Sequence, residues 1–266
     1  AMKIFISADI EGTAGIAHWD ETEQGKYLYD HFARQMTREV AAACEGAIAA
    51  GADELFIKDA HDSARNIDPD CLPECAKIFR GWGRHPYSMM AGLDHSFDGV
   101  FFTGYHSGAG SDENPLAHTM NGNILKLDIN GLGGSELLIN CLTAAYEHVP
   151  VYCVCGDAGL CDWVTHVNPN IQTVPVCEGF GNGSISIQPA LAVKRIRETT
   201  ERALRLPRES CLFPLPESFD VTVEYRPHFM AKRAGFYPGA EQVGPRTVRF
   251  HANNYFDVLT FFSFVL

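Results

Sequence analysis

The sequence has no apolar run long enough to cross a bilayer. Its most hydrophobic stretches, such as Val149 to Cys155, break after a few residues, far short of the roughly 20 that a spanning helix needs. An export signal is not expected either, because the short Lys3 to Ala8 stretch leads at once into Asp9 and Glu11, and a signal core does not carry acids. Positive charge is scarce: 21 Lys and Arg stand against 33 Asp and Glu, a formal net charge of -12. That balance leaves no basic footprint with which to displace counterions from nucleic acid or anionic lipid. Neither nucleic acid nor membrane is therefore expected as a partner, and part of the acidity is free to serve a cation site. A disulfide framework is also missing. The nine cysteines are an odd number and scattered, and Cys44, Cys141, Cys153 and Cys155 lie in apolar segments where a reduced thiol acts as a small hydrophobe. A reducing, cytoplasmic setting is the expectation. No internal repeat and no low-complexity segment interrupts the chain.

What is present is ample apolar content, 46% of 266 residues, enough for one large domain or two modest ones. Short β-rich runs alternate with helical patterns: Lys3 to Ala8, Glu54 to Lys58, Gly99 to Gly104, Leu125 to Ile129 and Val149 to Cys155. The order predicts an α/β fold with a mostly parallel sheet flanked by helices. Helical spacing of apolar residues runs from Phe32 to Ala50 and ends at Gly51, a C-terminal cap. A second helix is predicted from Ser135, as N-cap, to about His148. From about residue 171 the texture changes: strand Thr173 to Val176, a Gly-rich turn Gly179 to Ser184, a helix Gln188 to Arg205, a Pro-rich connector Leu206 to Pro216, strands Asp220 to Tyr225 and Thr247 to Ala252, and an apolar helix from Phe256. The division expected is a catalytic α/β domain over residues 1–170 and a smaller α+β lobe over 171–266 that shapes the substrate pocket and contacts between subunits.

The residues that bear chemistry gather at predicted strand ends. Ile4, Phe5 and Ile6 run into Asp9-Ile10-Glu11-Gly12, the second strand ends in Lys58-Asp59-Ala60-His61-Asp62, the third in Gly104-Tyr105-His106-Ser107, and Glu136 follows the glycine turn after the fourth. In open α/β sheets the carboxyl rim is where ligands bind, so these distant residues converge there. Two imidazoles and three carboxylates suit zinc or manganese, and they are enough for two ions if one carboxylate bridges. Two such ions activate a water and polarise a carbonyl together, which makes hydrolysis the natural reaction. His118, in Ala117-His118-Thr119-Met120, reads either as a general acid or base or as a surface histidine. Gly131-Leu132-Gly133-Gly134 lacks the Lys-Ser/Thr ending of a phosphate cradle and reads as a tight turn. Cys153 and Cys155 share one face of a buried strand, while Cys71 and Cys75 have no partner pair for a zinc ribbon.

Ser7-Ala8-Asp9-Ile10-Glu11-Gly12-Thr13-Ala14-Gly15, Lys58-Asp59-Ala60-His61-Asp62-Ser63, Gly104-Tyr105-His106-Ser107, Ala117-His118-Thr119-Met120 and Asn130-Gly131 with Ser135-Glu136 together resemble the D-aminopeptidase family of self-compartmentalising peptidases. The blocks occur in the family's order. The resemblance implies a two-zinc aminopeptidase in which Asp9 bridges the ions, Glu11 and His61 complete one site, and His106 and Glu136 complete the other. It further implies that His118 is catalytic beside the metals, and that subunits stack as rings into a decamer whose sites face an inner channel. Ser135 stands where the family has glycine. The expected activity is release of N-terminal residues, D-amino acids among them, from short peptides by a metal-activated water. The rival readings are another two-metal hydrolase, an amidase or phosphoesterase, and a non-enzymatic module that binds metal or peptide. Lys58 is the only basic residue in the motif blocks, which speaks against phosphate as the group held.

Overall fold

The computed structural model describes residues 1–266. In chain order its elements are β1 (Met2–Ala8), α1 (Tyr29–Ala49), β2 (Ala52–Asp59), β3 (Ala76–Phe79), β4 (Gly99–Tyr105), β5 (Ile124–Ile129), β6 (Leu132–Gly133), α2 (Glu136–Tyr146), β7 (Val151–Asp157), α3 (Ala158–Val167), β8 (Gln172–Phe180), β9 (Gly183–Ser186), α4 (Pro189–Ala203), β10 (Phe219–Tyr225), α5 (His228–Ala234), β11 (Ala240–Gln242), β12 (Thr247–Ala252) and α6 (Tyr255–Val265). No helix is long and apolar enough to cross a membrane.

A seven-stranded sheet runs in the order β3-β2-β1-β4-β7-β8-β9, parallel throughout except for the last pair. β1, β4 and β7 are buried along nearly their whole length, which is why they read as continuous apolar runs rather than alternating ones. The strand order reverses between β1 and β4, the place where open α/β sheets bind ligands. One face packs against α1 and α4 through Ile4, Ile6, Val40, Cys44 and Ile196; the other packs against α2 through Phe5, Phe102, Leu138 and Cys141. The thiols of Cys153 and Cys155 lie 3.8 Å apart on one face.

A second, antiparallel sheet has the order β11-β12-β10-β5-β6, and α6 packs on it through Tyr255, Val258 and Leu259. One sequence expectation is corrected here. The Leu125 to Ile129 strand does not join the parallel sheet; it pairs antiparallel with β10, and along it Lys126 is exposed while Leu125 and Asp128 are half-buried. The Gly179 to Ser184 turn is the tip of the β8-β9 hairpin. The first sheet thus extends past residue 170 through β8 and β9, while β5 and β6 from the earlier part of the chain belong to the second sheet. The expected division at 170/171 therefore does not follow the sheets.

Candidate metal centre

The register of the parallel sheet brings the motif residues to one level. Ala8 lies opposite Asp59 on β2 and Thr103 on β4, so the chain leaves all three strands side by side with Asp9, His61 and His106 just beyond. The approach of the β1 and β4 ends is close enough to demand glycine. A Cβ on Gly12 would lie 1.7 Å from the Tyr105 carbonyl, and one on Gly104, whose φ is +65°, would lie 2.1 Å from that of Asp9. Glu136 arrives from another direction, as the first residue of α2, whose N-cap Ser135 accepts the Leu138 N–H at 3.0 Å. Ser135 thus leaves the helix start well formed.

Five side chains expected as ligands meet in one buried cluster. His61 Nδ1 lies 3.3 Å from Asp9 Oδ1 and 3.3 Å from Glu11 Oε1. His106 Nε2 lies 3.3 Å from Asp9 Oδ2 and 3.1 Å from Glu136 Oε2. His118 joins them: its Nε2 is 3.7 Å from Glu11 Oε1 and 3.5 Å from Glu136 Oε2, and its ring stacks on His106 at 4.4 Å. It is not a surface histidine, although it is the most accessible of the three imidazoles. The cluster opens into a cavity of 370 Å³.

The opposite nitrogen of each imidazole faces a backbone carbonyl: His61 Nε2 that of Thr22 at 2.7 Å, His106 Nδ1 that of Ser107 at 3.0 Å, and His118 Nδ1 that of Leu116 at 2.8 Å. A carbonyl only accepts, so each of these nitrogens carries the proton and donates it. With a metal bound the rings would be neutral and turn their lone pairs into the carboxylate cluster, the arrangement by which proteins orient histidines toward a metal.

Electrostatics describe the same frustration. Burial and the Glu11 charge push Asp9 up to about 6. Burial works against ionisation of Glu11 too, yet His61 and His106 hold it well below the usual carboxylate range. For His61 and His106 burial disfavours the cation, but the surrounding carboxylates hold both well above the ordinary histidine value. Asp9 Oδ2, Glu11 Oε2 and His106 Nε2 are buried without a hydrogen-bond partner. Buried polar atoms are rarely left so, and lone pairs facing one another at these distances call for a cation between them. The residues fit a metal. Asp9, Glu11 and His61 form one group with ligand-like spacing, Asp9, His106 and Glu136 a second, and Glu11, His106 and His118 a third.

Supporting residues surround the cluster that sequence reasoning did not single out. The Met120 N–H donates to Glu136 Oε2 at 3.0 Å, and the Trp19 ring packs edge-on against His118 at 5.1 Å. Asp157, at the end of β7, accepts from the Ser107 N–H at 2.6 Å, the Ser107 hydroxyl at 2.7 Å and Asn114 Nδ2 at 3.3 Å, and so braces the loop after His106. Its place at a strand's carboxyl end was the available signal. Asp59 accepts from the Asn66 N–H, its side-chain amide and the Ile67 N–H, shaping the turn that carries His61. Lys58 points away from the cluster: its ammonium donates to the Asp59 and Gly81 carbonyls at 2.7 Å each and lies over the Trp82 ring. Gly131 to Gly134 makes the β5-β6 hairpin, with Asn130 and Gly131 both at positive φ.

Comparison with known proteins agrees with this geometry. The model of peptidase family M55, described as D-aminopeptidase, matches residues 2–264. A D-aminopeptidase from Bacillus subtilis (strain 168) is 29% identical over 255 residues, covering 95% of this chain and 92% of that protein. A solved structure described as the Zn-dependent D-aminopeptidase DppA from Bacillus subtilis, a self-compartmentalizing protease, superposes with a TM-score of 0.90 at 28% identity, covering 98% of this chain and 95% of that one. Fold and site define a metallo-aminopeptidase, a hydrolase of peptide bonds. The chain belongs to the D-aminopeptidase family.

Proposed function

We propose that this protein is a zinc-dependent aminopeptidase that releases N-terminal D-amino acids from short peptides. The observation that carries the reading is Asp9, which offers its two carboxylate oxygens to two different imidazoles, His61 and His106. Asp9, Glu11 and His61 would hold one zinc ion, and His106 and Glu136, with Asp9, a second. When bound, the metal supplies Lewis-acid polarisation of the scissile carbonyl and lowers the pKa of a water.

The chain's own residues supply the rest. His118, protonated at Nδ1 and accepting at Nε2, takes up and returns a proton at Nε2 on the accessible side of the cluster. Trp19 holds its ring, and the Met120 N–H fixes the orientation of Glu136. Support for zinc and for peptide substrates comes from the family and from the Bacillus subtilis relative's described zinc dependence. The same relative is described as self-compartmentalizing, which supports assembly of this chain into a ring-stacked decamer; exposed Phe180, Phe229 and Phe236 offer apolar surface for such contacts. The nine free cysteines fit a reducing, cytoplasmic compartment.

A screen of D- and L-aminoacyl dipeptides with the zinc-loaded protein, alongside a phosphomonoester, tests this reading. Release of N-terminal D-residues is expected; phosphate release without peptide cleavage would replace it with the phosphoesterase reading.

A further inference from the structure

A second cavity adjoins the one at the metal centre. Trp82, Met89, Met120 and Asn121 line both, and the second measures 630 Å³, within the range of roughly 300 to 1,000 Å³ typical of ligand sites. One helix serves both: α2 carries Glu136 into the cluster, and Ile139 and Asn140, one turn further on, line the second cavity. Met120 links them again, since its N–H holds Glu136 while the residue lines both spaces.

The two cavities differ in chemistry. Asp9, Glu11, Glu23, Asp62 and Glu136 line the metal-centre cavity, whereas no Asp, Glu or Lys lines the second. Its walls are more apolar, with Met89, Ile139, Leu259 and Phe262 among them, and the one charged side chain on them is the cation Arg84, next to His85. An ammonium group placed there would lose water, find no Asp or Glu side chain and share the space with the Arg84 cation, while the metal-centre cavity offers several acidic side chains. An apolar side chain gains in proportion to the area it buries, and methionine walls adapt to its shape.

We infer that the second cavity is a specificity pocket that receives an apolar side chain, aliphatic or aromatic, of the peptide residue adjoining the scissile bond. The inference rests on the peptidase reading for its substrate. The peptide amine lies toward the acidic cavity, and the side chain passes the boundary residues Trp82 and Met120 into the second one.

Ser263 gives a way to fill the pocket from α6. It lines the cavity, and its hydroxyl bonds only within its own helix, to the Leu259 carbonyl at 2.9 Å. We would measure kcat/KM of the zinc-loaded protein and Ser263→Phe for D-leucyl-D-alanine, D-alanyl-D-leucine and D-alanyl-D-alanine. A hydrophobic pocket discriminates about 10-fold or more per methylene. Wild type should therefore prefer one leucine-containing peptide by about 10-fold or more, and the variant should lose most of that ratio. Which peptide loses it identifies the N-terminal or the second residue as the occupant. The smaller Ser263→Leu should give an intermediate ratio, and it decides the matter if circular dichroism shows the Phe variant unfolded. A ratio unchanged in folded, zinc-replete variants, or no preference in wild type, overturns the pocket. If no peptide is cleaved, the peptidase reading fails, and calorimetry with D-leucinamide and D-alaninamide judges the pocket alone. Tighter leucinamide binding that Ser263→Phe abolishes upholds it; equal binding of the two overturns it.

Discussion

Asp9 Oδ2 stands 3.3 Å from His106 Nε2, and neither atom has a hydrogen-bond partner. The other ring nitrogen of His106 is committed to the Ser107 carbonyl, so a neutral His106 brings a lone pair to a carboxylate. A shared metal ion removes that conflict. Replacing Asp9 by Ala should therefore lower metal content more than Glu11→Ala does, since Asp9 would touch two ions. The loss of affinity should exceed the roughly 10- to 100-fold typical of changes behind the ligands. Elemental analysis of both variants checks it, and an Asp9→Ala protein that keeps two ions would refute the bridge.

His118→Ala separates proton transfer from metal binding. With His118 as acid or base, zinc content and fold stay as in wild type while kcat drops roughly 10²- to 10⁴-fold, and kcat/KM falls with it. Loss of one ion in the same preparation would instead make His118 a ligand, as its grouping with Glu11 and His106 permits.

Asp157→Ala tests the brace behind His106. It strips partners from the buried Ser107 N–H and hydroxyl and removes the cap that accepts the Leu160 N–H at 2.9 Å. The unsatisfied donor and the lost cap together should cost about 2 to 4 kcal/mol by urea unfolding. Zinc affinity should fall roughly 10- to 100-fold, as expected for a residue that positions a ligand.

Glu39 lies outside the cluster and makes a pH prediction. It accepts the Ala14 N–H at 3.1 Å and a Gln35 side-chain N–H at 3.0 Å, but burial outweighs these bonds and pushes its carboxyl from 4.5 up to about 7. The folded value lies above the unfolded one. Its stabilising contribution is thus complete below pH 4.5 and lost as pH rises through 7, a loss of roughly 3 kcal/mol. Glu39→Gln should gain about that much stability over wild type on going from pH 5 to pH 8. The difference between the two proteins in urea unfolding measures it, because pH effects of the metal centre cancel. A constant difference across that range would show that Glu39 stays ionised.

The site was legible because its residues sit at one kind of place: Asp9, His61 and His106 each follow an apolar run that is itself a buried parallel strand. His118 was harder, since its position depends on a loop whose fold is set by Asn114 and Thr119 within it and by Asp157 at the end of β7. The Leu125 to Ile129 strand misled for a physical reason. An apolar run tells of burial but not of which sheet buries it, and β10, almost a hundred residues on, captures this strand. Trp82 carried no sequence signal, and Met120 none beyond its place in the His118 motif, because a boundary shared by two cavities exists only once the chain has folded.

The most direct test of the central claim is a zinc titration of chelated protein, with bound zinc per chain and hydrolysis of D-alanyl-D-alanine measured on the same samples. The account predicts that activity reaches its maximum only as the second equivalent binds. Full activity at one ion per chain, or no hydrolysis at any loading, would contradict it.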